Sequence, residues 1–323
     1  MTNPKQRILA IVGPTAGGKT SLSIALAHAC RGEVVCCDSM QIYRSMDIGT
    51  AKPTPEEMQG IPHHMLDFVP PTQSYSCAEY VTDARATIQQ IIDRAAVPVL
   101  CGGTGLYLDA LLLGGSFEDT PTDPAIRARL ECLAAEPDGK ELLYQRLQQV
   151  DPDSAAAIHK NNVKRVIRAL EIFECCGTPK SVLDRQSRQT GLLYDATVIG
   201  LRYHNRDLLY ARIDQRVDMM LQQGLYDEVV RLWTDGIFEQ NATAAQAIGY
   251  KELLGALKGQ CTLNEAVDQL KTATRRYAKR QMTWFSAKPY VTWIYADTHD
   301  GRMRRGEDIL AEALEIVSRG ISQ

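Results

Sequence analysis

Residues 8–30, ILAIVGPTAGGKTSLSIALAHAC, decide the fold. The apolar run Ile8–Val12 reads as a strand, and unbroken apolar strands belong to parallel sheets covered on both faces. Gly13, Gly18, Lys19 and Thr20 then fit G-x-x-x-x-G-K-[ST], a loop whose amide N–H groups surround a di- or triphosphate. Residues 21–30, SLSIALAHAC, continue as a helix, so the loop lies between strand and helix, the setting in which this motif is trusted. Backbone amides and the helix N-terminus hold the phosphate oxygens, Lys19 adds a point charge, and the Thr20 hydroxyl is placed for Mg²⁺. The motif identifies a phosphate but not its fate. A nucleotide-binding loop that grips ATP to pass on a phosphoryl group suits a departing diphosphate equally well.

Outward from this stretch, apolar strand-like runs alternate with helix-period segments. EVVCCDS (33–39) is the second strand, HMLDFV (64–69) a weaker third, and VPVLCGG (97–103), ATVIGLR (196–202) and YVTWIY (290–295) complete a sheet of five or six. Ser76 and Glu79 stand at capping-box spacing before a helix running to about Ala96. Asn205 and Gly224 bracket another, and Thr262 with Glu265 caps a long one reaching about Phe285. Between 115 and 195 the strands stop: Asp123-Pro124 opens a helix, and NNVKRVIRALEIFECCG (161–177) is a second, closed by Gly177. The expected fold is α/β, a P-loop NTPase-like parallel sheet covered by helices on both faces. Residues 1–114 and 196–323 form its core and 115–195 an all-helical insertion.

The chain has 323 residues and a net charge of -3, so any nucleic-acid contact must come from local basic clusters. Nine cysteines include the pairs Cys36-Cys37 and Cys175-Cys176, without C-x-x-C or zinc-finger spacing, and read as reduced thiols of a cytoplasmic protein. MTNPKQ leads straight into the first strand with no signal-peptide core, and no apolar stretch is long enough to span a membrane.

Asp38 ends the second strand, and ligands of open parallel sheets bind outside the carboxyl ends of the strands, so Asp38 projects into the crevice of the phosphate loop. It reads as a general base, as a strand-end cap, or as a group supporting a magnesium ion. Asp67 competes for the metal role on a poorly defined strand. No N-K-x-D tetrapeptide occurs, which argues against a GTPase. In TRRYAKRQMTWFSAK (274–288), Arg276 and Arg280 stand four residues apart beside the stripe Tyr277, Gln281, Trp284. Cations flanking aromatics suit phosphates and splayed bases of single-stranded RNA, although a solvated basic face, with Trp284 and Phe285 in the core, gives the same pattern.

The blocks GPTAGGKTS, DSMQIYRSMDIGTAKPTPEE, PHHMLD, GGTGLY, RVIRALEIF, RIDQRVDMMLQQGLYDEV, AIGYKE and RRYAKRQMTWF, spanning residues 13–285, resemble in order the signatures of the tRNA dimethylallyltransferases, or isopentenyl-tRNA transferases. The phosphate loop is generic, but DSMQIYRSMDIGTAKP and RRYAKRQMTWF are specific to that family. The resemblance implies prenyl transfer from dimethylallyl diphosphate to the exocyclic amine of the adenosine 3′-adjacent to the anticodon, in tRNAs reading codons that begin with U. It implies that Gly13, Pro14, Thr15, Ala16, Gly17, Gly18, Lys19 and Thr20 hold a leaving diphosphate, with Mg²⁺ on Thr20 and no ATP hydrolysis. Asp38 becomes the base, and Thr15 and Arg216 flank the diphosphate. Arg212 and Arg216 lie four apart on one helix face, where an ordinary ion-paired surface is the alternative. The tRNA anticodon stem-loop is assigned to Asp38, Ser39, Met40 and Gln41, to Thr104, and to Arg127 with Lys164, Arg165, Val166, Ile167 and Arg168 of an insertion closing over the tRNA. It is assigned further to Gln246, Ala247, Ile248, Gly249, Tyr250 and Lys251, and to Lys279, Arg280, Gln281, Met282, Thr283, Trp284, Phe285 and Ser286.

Small departures accompany the resemblance. Cys36 and Cys37 precede Asp38 where small residues are commoner, and Ser286 stands where many members carry Arg, with Lys288 as a replacement for that phosphate contact. The zinc finger of eukaryotic members is absent, which fits the bacterial form. A monomer is expected. His63 and His64 suit a structural role. A small-molecule kinase of P-loop type and a nucleotide-regulated RNA-binding protein are the competing readings of the same motifs.

Overall fold

A computed structural model describes residues 5–114, 122–189 and 191–319. The first four residues and the start of the expected insertion, 115–121, lie outside the described residues. Six parallel strands, β1 Arg7–Val12, β2 Gly32–Cys36, β3 His63–His64, β4 Val97–Cys101, β5 Asp195–Arg202 and β6 Val291–Tyr295, form one sheet in the order β3-β2-β4-β1-β5-β6. Ile8 to Val12 are all buried because β1 is flanked by β4 and β5 and covered on both faces. Ile11 pairs with both Cys101 and Ile199, so the phosphate loop begins level with the carboxyl ends of its neighbours.

Helix α1, Lys19–Cys30, follows the loop, and α2 Pro55–Met58, α3 Cys77–Asp93 and α4 Gly105–Leu113 follow in turn. Next come α5 Pro124–Ala135, α6 Gly139–Val150, α7 Pro152–Ala157, α8 Val163–Cys176 and α9 Lys180–Gln189. After β5 the chain runs through α10 Arg206–Gln222, α11 Leu225–Thr234, α12 Ile237–Gln240, α13 Ala242–Ala245, α14 Tyr250–Leu257 and α15 Leu263–Ser286, with α16 Gly306–Arg319 last. The capping boxes at Ser76/Glu79 and Thr262/Glu265 are both complete, and Asp123 and Asn205 cap α5 and α10 through their side chains. Gly177 ends α8 in the left-handed conformation at φ +69°.

HMLDFV departs from its expectation. Only His63 and His64 pair with β2; Asp67 turns to φ +54°, and Val69 bridges Tyr43 instead. An aspartate tolerates that region through local hydrogen bonding, and it breaks the strand.

The chain forms two compact units: residues up to Leu108 with those from Tyr194 onward, and Asp109–Leu193. In the first, Leu9, Ile11, Leu26, Ile199 and Ile294 pack with Ile309 and Ala313 of α16. A second cluster joins Ile42, Tyr43 and Met46 to Leu225, Val229, Tyr250 and Leu270. The helical unit has its own core of Leu130, Leu143, Leu147, Val166, Ile167 and Leu170.

Candidate active site

The phosphate loop is shaped by two glycines. Gly13 sits at φ +136°, where a Cβ would come within 2.7 Å of the Leu201 carbonyl oxygen, and Gly18 precedes α1 in the left-handed region with no side chain capping the first turn. The first amides of α1 therefore face the loop, as an anion requires. Lys19 Nζ lies 2.8 Å from the Pro14 carbonyl oxygen. A cleft of about 490 Å³ opens here, lined by the loop, Ala51, Pro53 and Glu57, and by Arg212, Gln215 and Arg216 of α10.

Arg212 Nε donates to the Ala16 carbonyl at 3.0 Å, and Arg216 has no hydrogen bond or ion pair among the described residues. The ion-paired surface that their spacing also allowed is therefore absent. Burial lowers Lys19 to about 8; the Cys101 thiol opposes this, the Arg216 charge adds to it, and the Asp38 carboxylate opposes it. Burial likewise depresses Arg216, against the opposing charges of Glu57 and Asp38. Two basic groups that share one cleft, with no hydrogen-bonded ion pair to either among the described residues, suit an anion.

Asp38 lies just beyond β2. Its Oδ1 accepts from the Met40 amide at 2.9 Å and the Gln41 amide at 3.4 Å, while Oδ2 has no partner among the described residues. One oxygen of this carboxylate is thus engaged in the local turn and the other is left open. Its field reaches Lys19, Arg216 and Tyr277. Nearby, Thr104 Oγ1 accepts from the Ser39 amide at 3.0 Å.

Gln281 is buried, and sequence spacing placed it only in an RNA stripe. Its Oε1 accepts from the Thr15 amide at 2.8 Å and its Nε2 donates to the Gly103 carbonyl at 3.0 Å, so α15 is tied directly to the phosphate loop. Tyr277, one turn away, hydrogen-bonds Thr104 and Gln281, and burial keeps its phenol protonated well above the ordinary range.

Helix α15 has two basic faces with opposite fates. Lys271 and Arg275 pair with Asp218 and Asp214 of α10, both at 2.6 Å. Arg276, Lys279 and Arg280 are exposed with no acidic partner among the described residues, and Arg280 lies over the Tyr277 ring. Gln246, Lys251 and Arg276 line a groove of about 650 Å³. Lys288 Nζ is 5.1 Å from the centre of the Trp284 ring, and Trp284 Nε1 is buried without a hydrogen-bond partner among the described residues. In the helical unit, Arg127 and Arg168 share Glu171 Oε2 at 2.6 and 2.8 Å, while Lys164 and Arg165 are exposed.

Several residues assigned to tRNA by resemblance have side chains that point elsewhere. Val166 and Ile167 lie in the core of the helical unit. Ala247 and Tyr250 lie in the cluster around Tyr43, Gly249 is buried, and Phe285 is 1% exposed. These positions support a surface rather than form it, because each block alternates outward polar residues with inward apolar ones at helical spacing. Gln41 also turns inward, its amide donating to the Thr50 and Ala51 carbonyls at 3.0 and 2.9 Å. Asp67, the competing candidate for the metal role, is ion-paired to Lys52 at 2.5 Å. His64 bonds Glu33 and His63 contacts the Ile61 carbonyl.

Sequence spacing assigns no role to Glu228. Its carboxylate is buried and receives the amides of Asp47, Ile48 and Gly49 and the Tyr250 hydroxyl, at 2.7–3.1 Å. A legible signal existed: Leu225, Glu228, Val229 and Leu232 form the inward stripe of α11, and an acid in such a stripe must have partners.

A family profile described as IPP transferase matches residues 41–288. The chain belongs to the IPP transferase family. Among relatives of this family member, the tRNA dimethylallyltransferase of Bacillus cytotoxicus is 50% identical over 298 residues, covering 92% of each chain. That of Bacillus subtilis is 49% identical over 295 residues, covering 91% of this chain and 92% of its own. Among solved structures, the tRNA isopentenylpyrophosphate transferase of Bacillus halodurans superposes with a TM-score of 0.70 at 42% identity, covering 98% of this chain and 99% of that one. A eukaryotic dimethylallyltransferase acting on tRNA superposes at 0.75 with 31% identity, covering 90% and 74%. These likenesses agree with the α/β fold described above.

Proposed function

We propose that this IPP transferase moves a dimethylallyl group from dimethylallyl diphosphate to the exocyclic amine of the adenosine 3′-adjacent to the anticodon, in tRNAs reading codons that start with U. One observation carries the reading: the Asp38 carboxylate lies within electrostatic reach of Lys19 of the phosphate loop, of Arg216 of α10 and of Tyr277 on α15. A proton acceptor between an anion site and a basic-aromatic helix suits substitution by a weak aromatic amine. The amine nitrogen bonds to the allylic carbon, the carbon–oxygen bond to diphosphate breaks, and the amine proton passes to Asp38 Oδ2. Lys19, Arg216 and the loop amides stabilise the charge gathering on the departing diphosphate, with Thr15 beside it. The adenine must leave its stack, at a cost of a few kcal/mol, offset by tRNA contacts to Arg276, Lys279 and Arg280 of α15 and to Arg127, Lys164, Arg165 and Arg168 of the helical unit.

The residues fit Mg²⁺ in one way. The described residues contain no group of three or more His, Cys, Asp or Glu able to hold a metal, whereas Thr20 offers a hydroxyl in the cleft. Mg²⁺ commonly binds through one protein oxygen, waters and substrate phosphates, and when bound it would offset diphosphate charge. The reading includes a cytoplasmic location and a monomer; no helix among the described residues is long and apolar enough to cross a membrane. The deciding experiment incubates the protein with unmodified tRNA and either dimethylallyl diphosphate or ATP, then weighs the digested nucleosides. An isopentenyl mass increment with the former is expected; its absence, or phosphate transfer from ATP, overturns the reading.

A further inference from the structure

Glu228 is a group the mechanism leaves unused, a buried carboxylate that carries no cation. Its Oε2 holds the amides of Asp47 and Ile48 at 3.1 and 2.9 Å, and its Oε1 holds the Gly49 amide at 3.0 Å and the Tyr250 hydroxyl at 2.7 Å. The loop 47–51 has further closures of its own: Thr50 Oγ1 donates to the Met46 carbonyl and the Ala51 amide to the Ile48 carbonyl. At Gly49 the backbone packs against the Tyr250 ring, where a Cβ would fall 2.5 Å away. The carbonyls that this clamp orients, Thr50 and Ala51, receive the Gln41 side-chain amide, and the Gln41 backbone amide, with that of Met40, is bonded to Asp38 Oδ1.

We infer that Glu228 is a positioning residue for the transfer reaction, acting through the loop 47–51 and Gln41 to hold Asp38 with Oδ1 occupied and Oδ2 turned to the substrate amine. The inference rests on the proposed function, since it is that reading which makes Asp38 the proton acceptor. A carboxylate suits the post because it accepts at both oxygens, and its four donors need no counter-charge. A glutamine there would accept at one oxygen and set an NH₂ against donors at the other.

The test is a double-mutant cycle on single-turnover prenyl transfer at saturating tRNA and dimethylallyl diphosphate. Glu228→Gln and Gln41→Met are each expected to lose on the order of 10²-fold, the size of effect that a displaced reactive group produces. The double variant is expected to lose no more than the worse single one, because both break the same chain. Hydrogen exchange is expected to quicken at the Asp47, Ile48 and Gly49 amides in Glu228→Gln only. Multiplying losses, or full transfer by Gln41→Met, overturns the inference. Should Glu228→Gln not fold, Gln41→Met alone decides, since its side chain is only half-buried. Absence of transfer by the wild-type chain instead rejects the proposed function, so the two failures are distinguishable.

Discussion

The proposed base Asp38 has one oxygen bonded and the other open, and that difference makes a residue-scale prediction. Asparagine can keep the Oδ1 contacts to Met40 and Gln41 but presents an amide where Oδ2 was. Asp38→Asn is expected to melt like the wild type, bind both substrates, and lose about 10²- to 10⁴-fold in single-turnover transfer. A normal rate with a lowered melting temperature would assign Asp38 to structure alone, and rescue by added Mg²⁺ would assign it to the metal. Lys19 supplies a pH test. Its value of about 8 in the free protein means that it is charged below pH 8 and loses its proton above. Affinity for dimethylallyl diphosphate should therefore fall as pH rises through 8, and Lys19→Arg, charged throughout, should flatten that fall. Titration calorimetry between pH 6.5 and 9.5 checks it; parallel curves for the two proteins would exclude Lys19 from binding the phosphate.

Among the elements, α15 carries the sharpest contrast. Removing Arg276 and Arg280 together should weaken tRNA binding and flatten its salt dependence, by roughly 0.7 log units per log unit of salt for each phosphate no longer neutralised. Removing Lys271 and Arg275 should leave that slope unchanged, because those cations already face Asp218 and Asp214. Filter binding across a salt series reads both, and equal slopes in all variants would reduce the open face to a solvated one. Sequence spacing shows that α15 is basic on more than one side, but not which side is neutralised, since the acids lie about 60 residues away in α10. The same limit explains what else was legible. Strand, loop and helix around Gly13 depend on neighbours in sequence and were readable, as were the capping boxes at Ser76 and Thr262. The tie from Gln281 to Thr15, 266 residues away, and the clamp of Glu228 on Gly49 depend on tertiary pairing, which no local period encodes. Carrying whole motif blocks over as contacts likewise swept in Val166 and Tyr250, whose burial follows from helix phase.

At the scale of the molecule, each unit has a core of its own, so a defect in one should be felt there first. Leu147→Ala, at a fully buried position of the helical unit, should cost about 2–5 kcal/mol. Hydrogen exchange should report faster opening of α5, α6 and α8, with the β1 and β4 amides still protected. Uniform loss of protection throughout the chain would show instead that the units open as one.

The tie between Gly103 and Gln281 constrains how this chain can change over generations. A Cβ at position 103 would meet Gln281 Nε2 at 1.9 Å, while a shorter residue at 281 would strand the Thr15 amide and the Gly103 carbonyl. Each single step is expected to do harm, and a side chain at 103 is expected to need a smaller one at 281. In a library randomised at both positions and selected for transfer, alanine at 103 should survive only beside a shortened residue at 281, and its survival beside glutamine would show that the loop can move aside.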